Sequence, residues 1–259
     1  MRLNFVSDVH GSVDALRAAA DGADALVCLG DFVLFIDYAE PGRGIFGSLF
    51  GDENTRRYIE LRTAGNFDEA RAWSGQLWAE VIEREGVSRS DLVDRMIKEQ
   101  YRELFAALPT PAYLTYGNVD VPDFWPPFLR EGHTVLDAQT VDIDGLRFGF
   151  VGGGLISPMR TPYELDEQTY ADHVAALGPV DVLCSHIPPA VPELLYDTVA
   201  RRFEHGSVAL ADYIRDVQPR YSVFGHVHQP LAQRLRIGRT ECVNVGHFNG
   251  GATPFSLSW

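Results

Sequence analysis

Seven short apolar runs, none longer than six residues, bound what this chain can fold into. Six occupy residues 3–7, 25–29, 112–116, 146–151, 180–185 and 221–224, and a seventh lies at 241–245. Near-continuous apolar runs of this length suit β-strands covered on both faces, because such a strand keeps no face for water. The stretches between them repeat apolar residues at helical spacing. Residues 166–177 bring Tyr170, Val174 and Leu177 onto one face. Residues 207–217 bring Leu210, Ile214 and Val217 together behind Ser207, a residue type that caps helix N-termini. Strands alternating with amphipathic helices imply an α/β domain.

One long segment breaks the alternation. Residues 38–51 are rich in glycine and carry Ile45, Phe46, Leu49 and Phe50. They read as a mobile lid with Phe46 and Phe50 exposed. Residues 67–85 place Ala70, Trp73, Leu77 and Val81 on one helical stripe and stop at Gly86, a residue type that ends helices. Residues 88–108 open with Ser88 and Asp91 at capping-box spacing and then repeat Val93, Ile97, Leu104 and Leu108. The expectation is one domain over 1–259 with a helical, cap-like insertion at about 38–108, or a dimer contact built from the same segment.

Five of the strand ends carry polar clusters. In chain order they are Asp8-Val9-His10, Gly30-Asp31, Gly117-Asn118-Val119-Asp120, Ser185-His186 and Gly225-His226-Val227-His228. Taken singly, each reads as a turn, a helix cap or a surface histidine. Taken together they are more specific. Sites in open α/β sheets gather beyond the carboxyl ends of strands, and here each of these ends offers Asp, Asn or His. Carboxylate, amide and imidazole donors suit borderline divalent cations.

The order Asp-x-His, Gly-Asp, Gly-Asn-x-Asp, His, Gly-His-x-His resembles that of the calcineurin-like metallophosphoesterases. The likeness runs from Asp8 to His228, and the two prolines after His186-Ile187 are similar to the family's pattern too. The resemblance implies a four-layer α/β/β/α sandwich of two mixed β-sheets. It also implies two divalent metal ions (Mn, Fe, Zn, Co or Mg) held by Asp8, His10, Asp31, Asn118, His186, His226 and His228. Asp8, His10, Asp31 and His228 would hold one ion; Asp31, Asn118, His186 and His226 the other; Asp31 would bridge them. Asn118 and Asp120 are the candidate catalytic residues. The implied chemistry is attack on phosphorus by a metal-bridging hydroxide, with no covalent enzyme intermediate.

The chain departs from that pattern at two places. Many members carry His between the Asn and the acid of the third motif, where this chain has Val119. Valine cannot protonate a leaving group, so His247 and His205 become candidates for that task, and a substrate with a good leaving group is favoured. After Gly30-Asp31, Leu34 stands where members often carry an acid or amide. The Gly152-Gly153-Gly154 run lacks the spacing of a dinucleotide fingerprint and suits a loop passing close to the metal face, with Arg160 beyond it as a phosphate partner. The expected activity is that of a phosphodiesterase on a small substrate, a cyclic nucleotide or similar. A phosphomonoesterase or pyrophosphate hydrolase is the alternative. A non-catalytic scaffold is disfavoured because every ligand position is filled.

Composition narrows the partners. A formal net charge of −14 repels nucleic-acid phosphate and anionic membrane, so no long nucleic acid is expected. No apolar run approaches the roughly 20 residues that span a bilayer. Cys28, Cys184 and Cys242 each lie inside an apolar run, and an odd number in core-like strands is not a disulfide framework. Together with an N-terminus that reads as a strand and not a leader, this leads to the expectation of a cytoplasmic protein.

Overall fold

The computed structural model describes residues 1–251 and 253–259. The chain forms two compact units, one of Met1–Phe32 with Leu104–Trp259 and one of Val33–Glu103. The first unit begins with β1 (Arg2–Val6), α1 (Val13–Arg17) and β2 (Ala25–Cys28). The second contributes α2 (Gly44–Thr63), α3 (Phe67–Glu85) and most of α4 (Arg89–Ala107). The first resumes with β3 (Ala112–Leu114), β4 (His133–Val135), β5 (Gln139–Ile143), β6 (Leu146–Val151), β7 (Gly154–Leu155), β8 (Glu164–Leu165) and α5 (Glu167–Ala176). It closes with β9 (Val182–Ser185), α6 (Pro192–Leu195), β10 (Tyr196–Asp197), β11 (Arg202–Phe203), α7 (Val208–Val217), β12 (Tyr221–Phe224), β13 (Arg234–Ile237), β14 (Thr240–Asn244) and β15 (Phe255–Ser258).

Two mixed sheets organise the first unit. One has the order β15-β1-β2-β3-β4, with β15 antiparallel to β1 and the other pairs parallel. The other has the order β13-β14-β12-β9-β6-β5, with a parallel centre and an antiparallel strand at each edge. The inward side chains of both sheets share one core. Leu3, Phe5, Val27 and Leu29 from the first sheet meet Phe148, Phe150, Val182, Cys184 and Val223 from the second. The second sheet's outer face is covered by α5 and α7, through Tyr170, Val174, Leu210 and Ile214. Ser207 caps α7 by accepting the Leu210 N–H at 3.1 Å. On the first sheet's outer face Asn4 donates to the carbonyl of Ala19, just beyond α1, at 3.0 Å. The result is the four-layer α/β/β/α arrangement expected from the sequence.

The second unit has a core of its own, built from Phe46, Phe50, Leu77, Trp78, Val81 and Leu92. It corrects the reading of residues 38–51 as a mobile lid. Gly44–Thr63 is helical apart from a break at Gly51, and Phe46 and Phe50 are only 2% and 8% exposed. Four residues apart, they share one helix face. Phe46 lies 4.7 Å from Tyr58, and Phe50 lies 5.0 Å from Trp78, ring centre to ring centre. Burying these rings outweighs the low helix propensity of the glycines. The segment expected as an insertion, 38–108, falls mostly on this unit. Among the described residues, no helix is long and apolar enough to cross a membrane.

Candidate metal centre

The parallel strands deliver their polar clusters to one end of the first unit. Asp8 follows β1, Asp31 follows β2, Asn118 follows β3, His186 follows β9, and His226 and His228 follow β12. The backbone turns sharply where it leaves these strands. Asp8 (φ 55°), His10 (φ 39°), Asp31 (φ 56°) and His226 (φ 68°) all adopt the left-handed region. Such conformations cost non-glycine residues about 1–3 kcal/mol each and gather at functional sites. Two glycines permit the close approaches. A Cβ on Gly117 would collide with the Asp31 carboxylate, and one on Gly225 would collide with Ser7 and Asp8.

Cross-links between the turns fix their register. Asp8 N–H donates to the Gly30 carbonyl at 3.0 Å, and His10 N–H donates to the Asp31 carbonyl at 2.9 Å. Gly225 N–H donates to the His186 carbonyl at 3.0 Å, and His226 N–H to Asp8 Oδ2 at 2.9 Å. Asn244, at the end of β14, donates to the carbonyls of Gly225 and Val227 at 3.2 and 3.0 Å. It therefore clamps the turn that carries His226 and His228. Asn244 lies in an apolar run, where its one signal in the sequence is a single amide closing a buried strand.

The seven residues expected to hold metal come together. Asp31 Oδ2 lies 3.8 Å from His10 Nε2 on one side and 3.5 Å from His186 Nε2 on the other. Asp8 Oδ1 lies 3.2 Å from His228 Nε2 and 4.0 Å from His10 Nε2. Asn118 Oδ1 lies 3.0 Å from His186 Nε2. The His226 ring lies 5.2 Å from that of His186. Two atoms ligating one cation at about 2.0–2.2 Å sit about 3–4 Å apart, so these spacings fit the donor set around divalent ions. The His186 tautomer fits as well. Its Nδ1 lies 2.9 Å from the Leu29 carbonyl, which can only accept, so Nδ1 carries a proton and Nε2 faces the other donors.

The buried titratable groups of these motifs shift one another strongly. Burial works to raise Asp8 and Asp31, but the neighbouring histidines outweigh it and hold both carboxyls below their ordinary range. Burial works to lower His186, yet Asp31 and Asp8 push it up to about 9. Burial and the neighbouring His186 bring His226 down to about 4, which keeps its ring neutral and able to ligate. Asp120 is fully buried and pushed up to about 7 by burial and the Asp31 charge. Its carboxylate accepts backbone N–H groups from Asp31 at 2.8 Å, Phe32 at 3.0 Å and Gly117 at 2.8 Å.

The two histidines considered as substitutes for the missing third-motif His lie in different settings. His205 is exposed. His247 stacks on His228 with ring centres 3.8 Å apart and lies 5.6 Å from His10. The ligating atoms of His10, His228 and His247 all fall within 4.8 Å of one another. Val119 donates its backbone N–H to Asp31 Oδ1 at 3.0 Å, and Arg160 is exposed.

Residues 90–230, more than half of the chain, match the family model for calcineurin-like phosphoesterases. The chain belongs to the calcineurin-like phosphoesterase family. It is therefore a metal-dependent phosphoesterase, and its family uses divalent metal ions. No curated protein matches this phosphoesterase by sequence. It is similar in fold to the crystal structure of TT1561 of Thermus thermophilus, with a TM-score of 0.53 and 16% identity over 96% of this chain and 91% of that one. A second crystal structure aligns with a TM-score of 0.57 and 14% identity over 99% of this phosphoesterase and 98% of that chain.

Proposed function

We propose that this phosphoesterase hydrolyses small phosphodiesters at a dinuclear centre, with activated diesters favoured over cyclic nucleotides, whose leaving sugar alkoxide departs poorly without an acid. The observation that carries the preference for activated leaving groups is the valine at residue 119. Its backbone is bonded to the Asp31 carboxylate, so residue 119 stands at the centre itself, and its side chain has no proton to give. Acid assistance to a leaving group is typically worth roughly 10²–10⁴-fold, so a site without it favours substrates whose leaving group departs unaided.

In this reading Asp8, His10, Asp31 and His228 would hold one ion, and Asp31, Asn118, His186 and His226 would hold the other. Asp31 would serve both, because its Oδ2 faces His10 and His186 at once. Divalent ions bound there, manganese among the candidates, supply Lewis-acid activation of water and neutralise phosphate charge. The chain's own groups keep the centre ready. The Leu29 carbonyl holds the His186 tautomer, Asn244 clamps the His226–His228 turn, and Asp120 is a positioning residue that binds the backbone beside Asp31.

The second unit, which enters the chain two residues after Asp31, is assigned as a cap that selects small substrates. The support for this is its place in the chain and its separate core. A cytoplasmic location is supported by three free, buried cysteines.

Screening with Mn²⁺ against a chelated control tests the substrate class. Bis(p-nitrophenyl) phosphate, p-nitrophenyl phosphate, pyrophosphate and cyclic nucleotides form the panel. Bis(p-nitrophenyl) phosphate should be cleaved about tenfold or more faster than the monoester, which has the same leaving group, and faster than the cyclic nucleotides, whose leaving group is an alkoxide. The reverse order would establish the phosphomonoesterase or pyrophosphatase alternative instead.

A further inference from the structure

An asparagine amide has two ends of nearly equal shape and opposite chemistry. Only the oxygen can ligate a cation, and only the nitrogen can donate a hydrogen bond. What binds the nitrogen therefore decides whether Asn118 is a ligand at all. Asn118 Nδ2 donates to Thr161 Oγ1 at 3.0 Å, and Thr161 Oγ1 donates in turn to Glu164 Oε1 at 2.7 Å. A carboxylate only accepts, so the direction of the chain is fixed from Asn118 through Thr161 to Glu164. The Asn118 oxygen is thereby left facing His186 Nε2.

The loop carrying this relay is built against Asn118. Tyr163 N–H donates to the Asn118 carbonyl at 2.9 Å, and Gly154 N–H donates to the Tyr163 carbonyl at 3.0 Å. A Cβ on Gly154 would lie 2.8 Å from the Asn118 Cβ, so the glycine run lets the loop close on the asparagine. Glu164 is anchored independently. It accepts from Ser157 N–H at 2.9 Å and from Ser157 Oγ at 2.6 Å.

We propose that Thr161 and Glu164 are positioning residues that orient the Asn118 amide, and that they thereby set the affinity of one metal position and not the other. This rests on the dinuclear reading above. Hydrogen-bond partners of metal ligands typically hold about 10–100-fold in affinity. The effect should fall on the ion that Asn118 ligates, because the relay from Glu164 through Thr161 ends on the Asn118 amide.

The test is Mn²⁺ titration of the chelator-stripped full chain, read by calorimetry and elemental analysis. Thr161→Val, Thr161→Ser, Asn118→Ala and the Asn118→Ala/Thr161→Val double variant are compared with the parent. Thr161→Val should weaken one of two binding events by about 10–100-fold and leave the other within about twofold. Thr161→Ser, which keeps the hydroxyl, should bind like the parent. On the Asn118→Ala background Thr161→Val should add less than about a twofold change, because the relay acts only through that amide. Parent-like binding of both ions by Thr161→Val, equal weakening of both, or a full additive loss in the double variant would overturn the relay. If Thr161→Val does not fold, Thr161→Ser and Glu164→Gln decide the matter. Loss of binding in the serine variant, or no change at either position with glutamine, would overturn it. A parent chain that binds fewer than two ions would instead overturn the dinuclear reading and the relay with it.

Discussion

The Asp120 carboxylate accepts the backbone N–H of Asp31 at 2.8 Å, joining the third motif to the carboxylate of the second. The same carboxylate also accepts from Phe32 and Gly117. Replacing it by asparagine turns one end into a donor that faces a backbone N–H. Leaving a buried donor unsatisfied costs about 1–3 kcal/mol. Asp120→Asn should therefore lower the Tm by several degrees and reduce metal content, both measurable on one sample. An unchanged Tm with full metal content would count against a positioning role.

The His186 imidazole sets a pH dependence with a definite sign. In the metal-free chain it is pushed from 6.5 up to about 9 by Asp31 and Asp8 against the effect of burial. A group raised in the folded state stabilises fully below its unfolded value and loses that contribution as pH rises through its folded value. The metal-free chain should therefore lose His186's contribution between about pH 6.5 and 9. A cation needs the neutral ring, so its binding releases a proton, and apparent affinity should rise about tenfold per pH unit across that window. Calorimetry at pH 7 in buffers of different ionisation enthalpy counts the proton. No release would contradict the assignment of His186 as a ligand.

Val119 makes the rate sensitive to the leaving group. Among diesters, kcat/KM should fall steeply as leaving-group pKa rises, and Val119→His should raise rates on alkyl esters while changing aryl esters little. A flat dependence in the parent chain, with chemistry rate-limiting, would show that another acid is at work. His247, stacked on His228, would then be the first residue to replace.

The second unit gives a separate prediction. Exchanging residues 40–87 for a short Gly-Ser linker removes the core formed by Phe46, Phe50, Leu77 and Trp78. The trimmed chain should keep its metals and cleave bulky diesters relatively better than before. A folded, metal-loaded chain with an unchanged preference between small and bulky diesters would end the cap assignment.

The seven expected ligands were legible in the sequence because each follows a parallel strand, and parallel strands of two packed sheets present their carboxyl ends on one side. The helix 67–85 was legible for a similar reason, since its stripe and its closing Gly86 are local signals. The stretch 38–51 was misread because its glycines weaken a local helix signal, while the Phe50–Trp78 ring contact that holds it to the next helix is tertiary. The strands His133–Val135 and Phe255–Ser258 were missed because they are partly exposed edge strands without a continuous apolar run. Thr161 lies 43 residues from Asn118, and nothing in its neighbours distinguishes it from an ordinary loop threonine. Its part depends on an amide orientation that exists only in the folded chain.

The central claim is that Asp31 bridges two ions that this chain needs to cleave phosphodiesters. The most direct measurement restores Mn²⁺ stepwise to the chelator-stripped chain while following bis(p-nitrophenyl) phosphate hydrolysis, with Asp31→Asn run in parallel. The stripped chain should show no hydrolysis, full activity should return only at two equivalents, and Asp31→Asn should lose both ions and activity. Activity that survives stripping, that saturates at one equivalent, or that persists in a fully loaded Asp31→Asn variant would contradict the claim.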